Sequence, residues 1–151
     1  MPKMDQAGID EYRTKHLPYV LGVMRGHKKL TDRGPYHGDV DILHATFVSS
    51  VAAGRMLPNF IGITLDRTNS HLKKFRPNYP DDVTMEDLGG RMADVDALNR
   101  DAVRRDLLAG FIKMADKAAA HMTVPEKRPW ERTHEAMAEI EGLLEDSKWK
   151  A

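Results

Sequence analysis

Two tetrapeptides hold the residue types best suited to chemistry in this chain: His44-Ala-Thr-Phe47 and His121-Met-Thr-Val124. Each places a histidine two residues before a threonine and ends on an apolar side chain. Imidazole titrates near neutral pH, so it serves as either proton donor or acceptor. A second grouping offers metal-ligand chemistry: Asp39, Asp41 and His44 lie near one expected helix start, while His71, His121 and His134 fall on other expected helices. Helical bundles do build metal sites from facing helices. However, the sequence has no His-Glu-x-x-His and no histidine pair at four-residue spacing. Nucleophilic chemistry has less support. Ser49-Ser50 lacks a glycine elbow, and Gly89-Gly90-Arg91 lacks the lysine and the preceding strand of a phosphate loop.

The paired His-x-Thr tetrapeptides resemble the motif of the two-histidine phosphoesterases, which act on cyclic phosphodiesters and 2'-5' linkages. The resemblance covers eight residues. It implies that His44 and His121 form a general acid/base pair and that Thr46 and Thr123 hold the phosphate. That family carries its motifs on neighbouring strands of a mixed α/β fold. Here His44 lies within a helical pattern, and His121 lies at the end of another.

Composition sets the frame for these residues. The chain has 151 residues, with 23 Lys plus Arg against 23 Asp plus Glu, and its formal charge is zero. A neutral chain has no global attraction to nucleic acid or anionic membrane. Charged residues make up 30% and hydrophobic residues 41%, which suits one folded domain. Cysteine is absent, so thiolate metal sites, disulfides and cysteine nucleophiles are excluded; this fits an intracellular setting, cytoplasm or organelle matrix. The N-terminus lacks the apolar core of a secretory signal. The most apolar window, residues 40–65, is interrupted by Asp41, His44, Arg55 and Pro58, so no membrane-spanning helix is expected.

Hydrophobic periodicity predicts the elements that must position the candidate residues. Apolar residues recur from Met92 to Met122 in steps of mostly three and four, which predicts a long helix over 91–122. Its second row, Leu108, Ile112, Ala115 and Ala119, makes the face broad enough to demand covering elements. Val40, Leu43, Phe47, Val51 and Met56/Leu57 predict a helix over 39–57, stopped by Pro58. The spacing of Ile61, Leu65, Thr68, Leu72 and Phe75 predicts a helix over 59–75. Thr84-x-x-Asp87 resembles a capping box, and Gly89-Gly90 reads as a hinge. Val124-Pro125 ends the long helix, and Pro129 opens a last one over 130–146.

Residues 1–38 read as an N-terminal arm and a basic loop, with the helical domain over 39–151. Leu17 to Met24 is either a short helix or an extended anchor. Arg25 to Gly38 reads as a loop, with three glycines and the cations Arg25, Lys28, Lys29 and Arg33. The expectation is an all-α protein of four to five helices in a small bundle-like core, with an extended N-terminal arm and a short C-terminal tail. Tyr19, Tyr36, Tyr79, Trp130 and Trp149 lie in linkers or near helix ends, where aromatic side chains anchor partners. The functional expectation is a non-enzymatic interaction or structural subunit of a larger protein assembly. It has other protein subunits as partners, no cofactor, no nucleic acid and no small-molecule substrate. The two alternatives are a phosphoesterase using His44 and His121, and a histidine-based metal-binding bundle.

Overall fold

The structure is a computed structural model that describes residues 3–120 and 130–149. It is predominantly helical, and among the described residues no helix is long and apolar enough to cross a membrane. The positions of Met122, His121, Thr123 and the 124–129 linker lie outside the described residues.

The N-terminal segment is not an extended arm. Helix α1 (Gln6–Glu11) starts where the Asp5 carboxylate accepts from the Gly8 amide at 2.8 Å. It runs through a π-helical turn, Tyr12–His16, directly into α2 (Leu17–Met24). The wide turn lies just before Pro18, whose missing N–H leaves a carbonyl in the preceding turn without its usual donor. Leu17, Leu21 and Met24 recur at four and three residues, and all three are buried. The segment expected to be a basic loop begins with a further helix, α3 (Gly26–Asp32), which buries His27. Its composition is loop-like, but an apolar partner surface for His27 offsets the weak local propensity.

Helix α4 (Val40–Phe60) is capped by Asp39, whose Oδ1 accepts from the Asp41 amide at 2.8 Å. It continues two residues beyond Pro58, so the proline ends the helix within its last turn rather than before it. The predicted helix over 59–75 is absent. Instead, β1 (Ile63–Leu65) pairs antiparallel with β2 (Leu72–Lys74), with Ile63 opposite Lys74 and Leu65 opposite Leu72. Turn chemistry overrides the helical spacing here. The Asp66 carboxylate accepts from the Thr68 hydroxyl at 2.8 Å and from the Ser70 and His71 amides at 3.3 Å. Gly62 adopts φ +90° against Met92, a conformation that ends the preceding helix. The side chain of Asn99 then acts as a third edge, accepting from the Leu72 amide at 2.9 Å and donating to its carbonyl at 2.8 Å.

The capping box is present: the Asp87 carboxylate accepts from the Thr84 amide at 2.8 Å and from its hydroxyl at 3.0 Å, ahead of a 3₁₀ turn at Glu86–Leu88. The long helix is two helices, α5 (Val95–Arg100) and α6 (Ala102–Ala120). The break is at Asp101, which is extended (φ −96°, ψ 96°) and whose carboxylate accepts from the Arg104 amide at 3.2 Å. Aspartate is a better cap than helix-interior residue, and a period count does not register that. Helix α7 (Trp130–Ser147) completes the described chain.

The core lies where α2, α4, α6 and α7 converge. Phe111 and Ile112 of α6, Ile140 of α7 and Met24 of α2 are fully buried. Gly54 lets α6 approach α4, since a Cβ there would sit 2.9 Å from Phe111 Cζ. Leu17 and Leu21 belong to this same core, which is why the N-terminal helices are part of the folded body.

Candidate functional site

Two features stand apart from ordinary helix packing. The first is a buried imidazole pair. His27 of α3 and His134 of α7 meet with Nδ1 and Nε2 2.9 Å apart, and they are only 1% and 9% exposed. The rings lie among aromatics: Phe47 is 4.9 Å from the His27 centroid and Trp130 is 5.2 Å away, both edge-on. Ser50 of α4 positions His27 from below. Its Oγ accepts from the His27 amide at 3.0 Å and donates to the Val23 carbonyl at 3.0 Å, tying the α2–α3 junction to α4.

Burial among these rings pushes the pKa of His27 below its ordinary value, and the charge of His134 adds to the effect. His134 is likewise lowered, first by burial and then by nearby Lys28. The pair is therefore held neutral, one ring donating and the other accepting. In the unfolded chain both rings take protons near pH 6.5. Because the folded-state values are depressed, the stabilisation is complete above pH 6.5 and is lost as pH falls toward the folded values. In His134→Leu, His27 keeps its burial but loses its partner. We expect about 1–3 kcal/mol lower stability at pH 7.5 and a shallower decline on acidification. Denaturant titrations between about pH 7.5 and 5 check this; a variant as acid-sensitive as the parent would assign the decline to other groups.

Beside the pair is a cleft of about 250 Å³. Its floor is Met24, Met137 and Ala138, and its rim carries Arg25, Lys28, Lys29 and Glu141. Of the cations expected to lie in a loop, Lys28 and Lys29 are on α3 and Arg25 and Arg33 flank it, and two of the four are paired. Arg25 donates to Glu141 at 2.6 and 3.2 Å, and Lys28 pairs with Asp32 at 2.5 Å. The Glu141 hydrogen bond raises the Arg25 pKa further. Two of the four cations read from the sequence are thus matched across or along helices.

The histidines named for phosphoester chemistry are differently placed. His44 is exposed on α4, and the Thr46 hydroxyl donates to the Ile42 carbonyl at 2.8 Å, within the helix. His121 and Thr123 lie outside the described residues. His71 sits in the hairpin turn beside Ser70. For a metal, His27 and His134 supply two nitrogens, but among the described residues no group of three or more potential ligands converges. Asp39 is occupied in capping α4.

The second feature is the outer face of α4. Ile42, Ala45, Ser49, Ala52 and Met56 are all exposed, at spacings of three, four, three and four. Ile42 is 58% exposed, Met56 60% and the flanking Val48 56%. This is a coiled-coil seam without an occupant among the described residues. The sequence reading put Val40 and Met56/Leu57 on the buried row; Val40 and Met56 are exposed, Leu57 is buried, and Ser50 and Gly54 also face the core. The signal for the outer face was available in Ile42 and Val48, two β-branched residues off the expected stripe. Beyond Met56, a groove of about 380 Å³ continues the apolar surface past Val20, Phe75 and Tyr79.

The five aromatic anchor candidates divide. Tyr19 and Tyr79 are strongly exposed and Trp130 is exposed at its outer edge. Tyr36 is half-buried and donates to the Asp39 carbonyl at 2.9 Å. Trp149 is half-buried beneath the Arg13 guanidinium, 4.5 Å from its ring centroid. Comparison of the chain with protein-family models, with curated proteins and with solved structures finds no match.

Proposed function

We propose that this chain is a non-enzymatic, helical interaction subunit that docks to protein surfaces through the outer face of α4. One observation carries the reading: three large aliphatic side chains, Ile42, Val48 and Met56, stand in solvent around a seam of small residues on one helix. Exposing such a seam on a lone monomer costs solubility without aiding the fold, whereas burying it drives association. Exposed Tyr79 and the groove beside Met56 extend the surface, and aromatic residues of this kind anchor interfaces. The buried histidine pair serves in this reading as a polar lock between α3 and α7.

The test is the native mass of the chain gently isolated from its own cells, with co-purifying proteins identified. The expected result is a species of fixed composition heavier than one chain. An isolated monomer that stays monodisperse at high concentration would remove the reading.

A further inference from the structure

We propose that the occupant of the α4 face is a second copy of this chain, packed antiparallel about a two-fold axis beside Val48. This rests on α4 being the docking surface and specifies what covers it. A two-fold interface must be self-complementary, and the α4 face is. With Ile42, Ala45, Ser49, Ala52 and Met56 as seam positions, Asp41, Val48 and Arg55 form a single flanking row, seven residues apart. In an antiparallel helix pair this row faces its own copy. Placing Val48 on the axis sets Asp41 of each copy beside Arg55 of the other, so the interface carries two opposite-charge pairs and no like-charge pair in that row.

The seam agrees with the same register. Ile42 of one copy meets Ala52 of the other, and Ala45 meets Ser49, so the isoleucine lies over a small side chain. Small residues at the centre let the two backbones approach closely. Both charged groups are suitably placed. Asp41 is exposed, and Arg55 uses Nε on Asp116 at 2.5 Å and Nη1 on Asn59 at 3.2 Å, which leaves Nη2 directed to neither. The opposite flank is covered by α2 and α3, with Gly26 against Thr46 and Ser50 on that side, whereas in this row Asp41 and Val48 are exposed among the described residues and the Arg55 side chain, 19% exposed, leans on Asp116 of α6. Antiparallel α4 helices also set opposed macrodipoles side by side.

The experiment uses the full chain in sedimentation velocity over a concentration series. One helix pair covers less than the roughly 800 Å² per partner of a standard interface, so a dimer with Kd of about 10–100 μM is expected. Ser49→Glu places two carboxylates near the axis and should weaken the dimer at least about 30-fold, with an unchanged circular dichroism spectrum because Ser49 is exposed. Asp41→Arg should weaken it about 5–10-fold. The chain has no cysteine, so single cysteines report the register. Val48→Cys should cross-link to itself with a short bis-maleimide. Ile42→Cys should not, being about 15 Å from its copy along the axis. A monomer at every concentration overturns the proposal, as does a dimer that ignores Ser49→Glu or links through Ile42→Cys. A fixed complex with a different protein that Ser49→Glu abolishes would leave α4 as a docking face but overturn self-pairing.

Discussion

Phe111→Ala is expected to lower the unfolding free energy by about 3–5 kcal/mol, a large share of the roughly 5–15 kcal/mol that holds a typical domain together. The ring is fully buried at the α4–α6 crossing. Across from it stands Gly54, whose missing side chain is what admits the ring. The surroundings therefore cannot collapse easily into the space a truncation leaves: Gly54 has no side chain to extend, and Met24 and Val51 already fill their own places. The residual cavity makes this loss larger than the transfer free energy of the removed atoms alone. Denaturant unfolding followed by helix signal would read it, with a melting temperature lower by roughly 10 °C. Val103→Ala, on the same helix but 77% exposed, should change stability by less than about 0.5 kcal/mol. Equal effects at the two positions would mean that α6 presents a different face to α4.

Gly90→Ala should cost about 3 kcal/mol, near the top of the range for overpacking. A Cβ at Gly90 would lie 2.5 Å from both Met85 Cγ and the Ser147 carbonyl oxygen. Met85 is fully buried and has little room to turn. The Ser147 oxygen is held in place because it accepts from the Arg91 amide at 2.7 Å, while Arg91 Nη2 donates to the Asp146 carbonyl at 2.8 Å. This corner seats the chain between the 3₁₀ turn and α5 on the C-terminal end of α7. The substitution must either break those bonds or displace Met85. Gly142→Ala in α7 is the contrasting case: nothing lies within 4 Å of its new Cβ, so the helix should gain about 0.5–1 kcal/mol. Opposite signs for the two glycines, measured by equilibrium unfolding, are the expected result. A neutral Gly90→Ala would mean that the corner is not packed against α7 as described.

The predominance of helix, the start of α4, the Thr84–Asp87 cap and the body of α7 were legible in the residues, because each depends on neighbours within one or two turns. Periodicity over 91–122 located the helical segments but not the break, since Asp101 acts through a carboxylate that a hydrophobic count passes over. The hairpin at 63–74 was misread as helix for a related reason. Its apolar spacing fits a helix, while the Asp66 turn and the contact of Gly62 with Met92 decide the backbone. The N-terminal helices have little local propensity in Gly-containing, basic sequence, and they are held by Leu17, Leu21 and Met24 reaching a core built by residues far along the chain.

The candidate sites divide in the same way. Histidines are visible in a sequence, but the meeting of His27 with His134 joins residues 107 positions apart. No spacing rule connects them, and only the packing of α3 on α7 brings their nitrogens together. On α4 the apolar residues of both faces could be read from the sequence. Which face is covered depends on where Gly54 admits Phe111 and where Ser50 meets the α2–α3 junction. Local chemistry determines that α4 is a helix; the long-range fit of its glycine and serine decides which side is buried and which stays exposed.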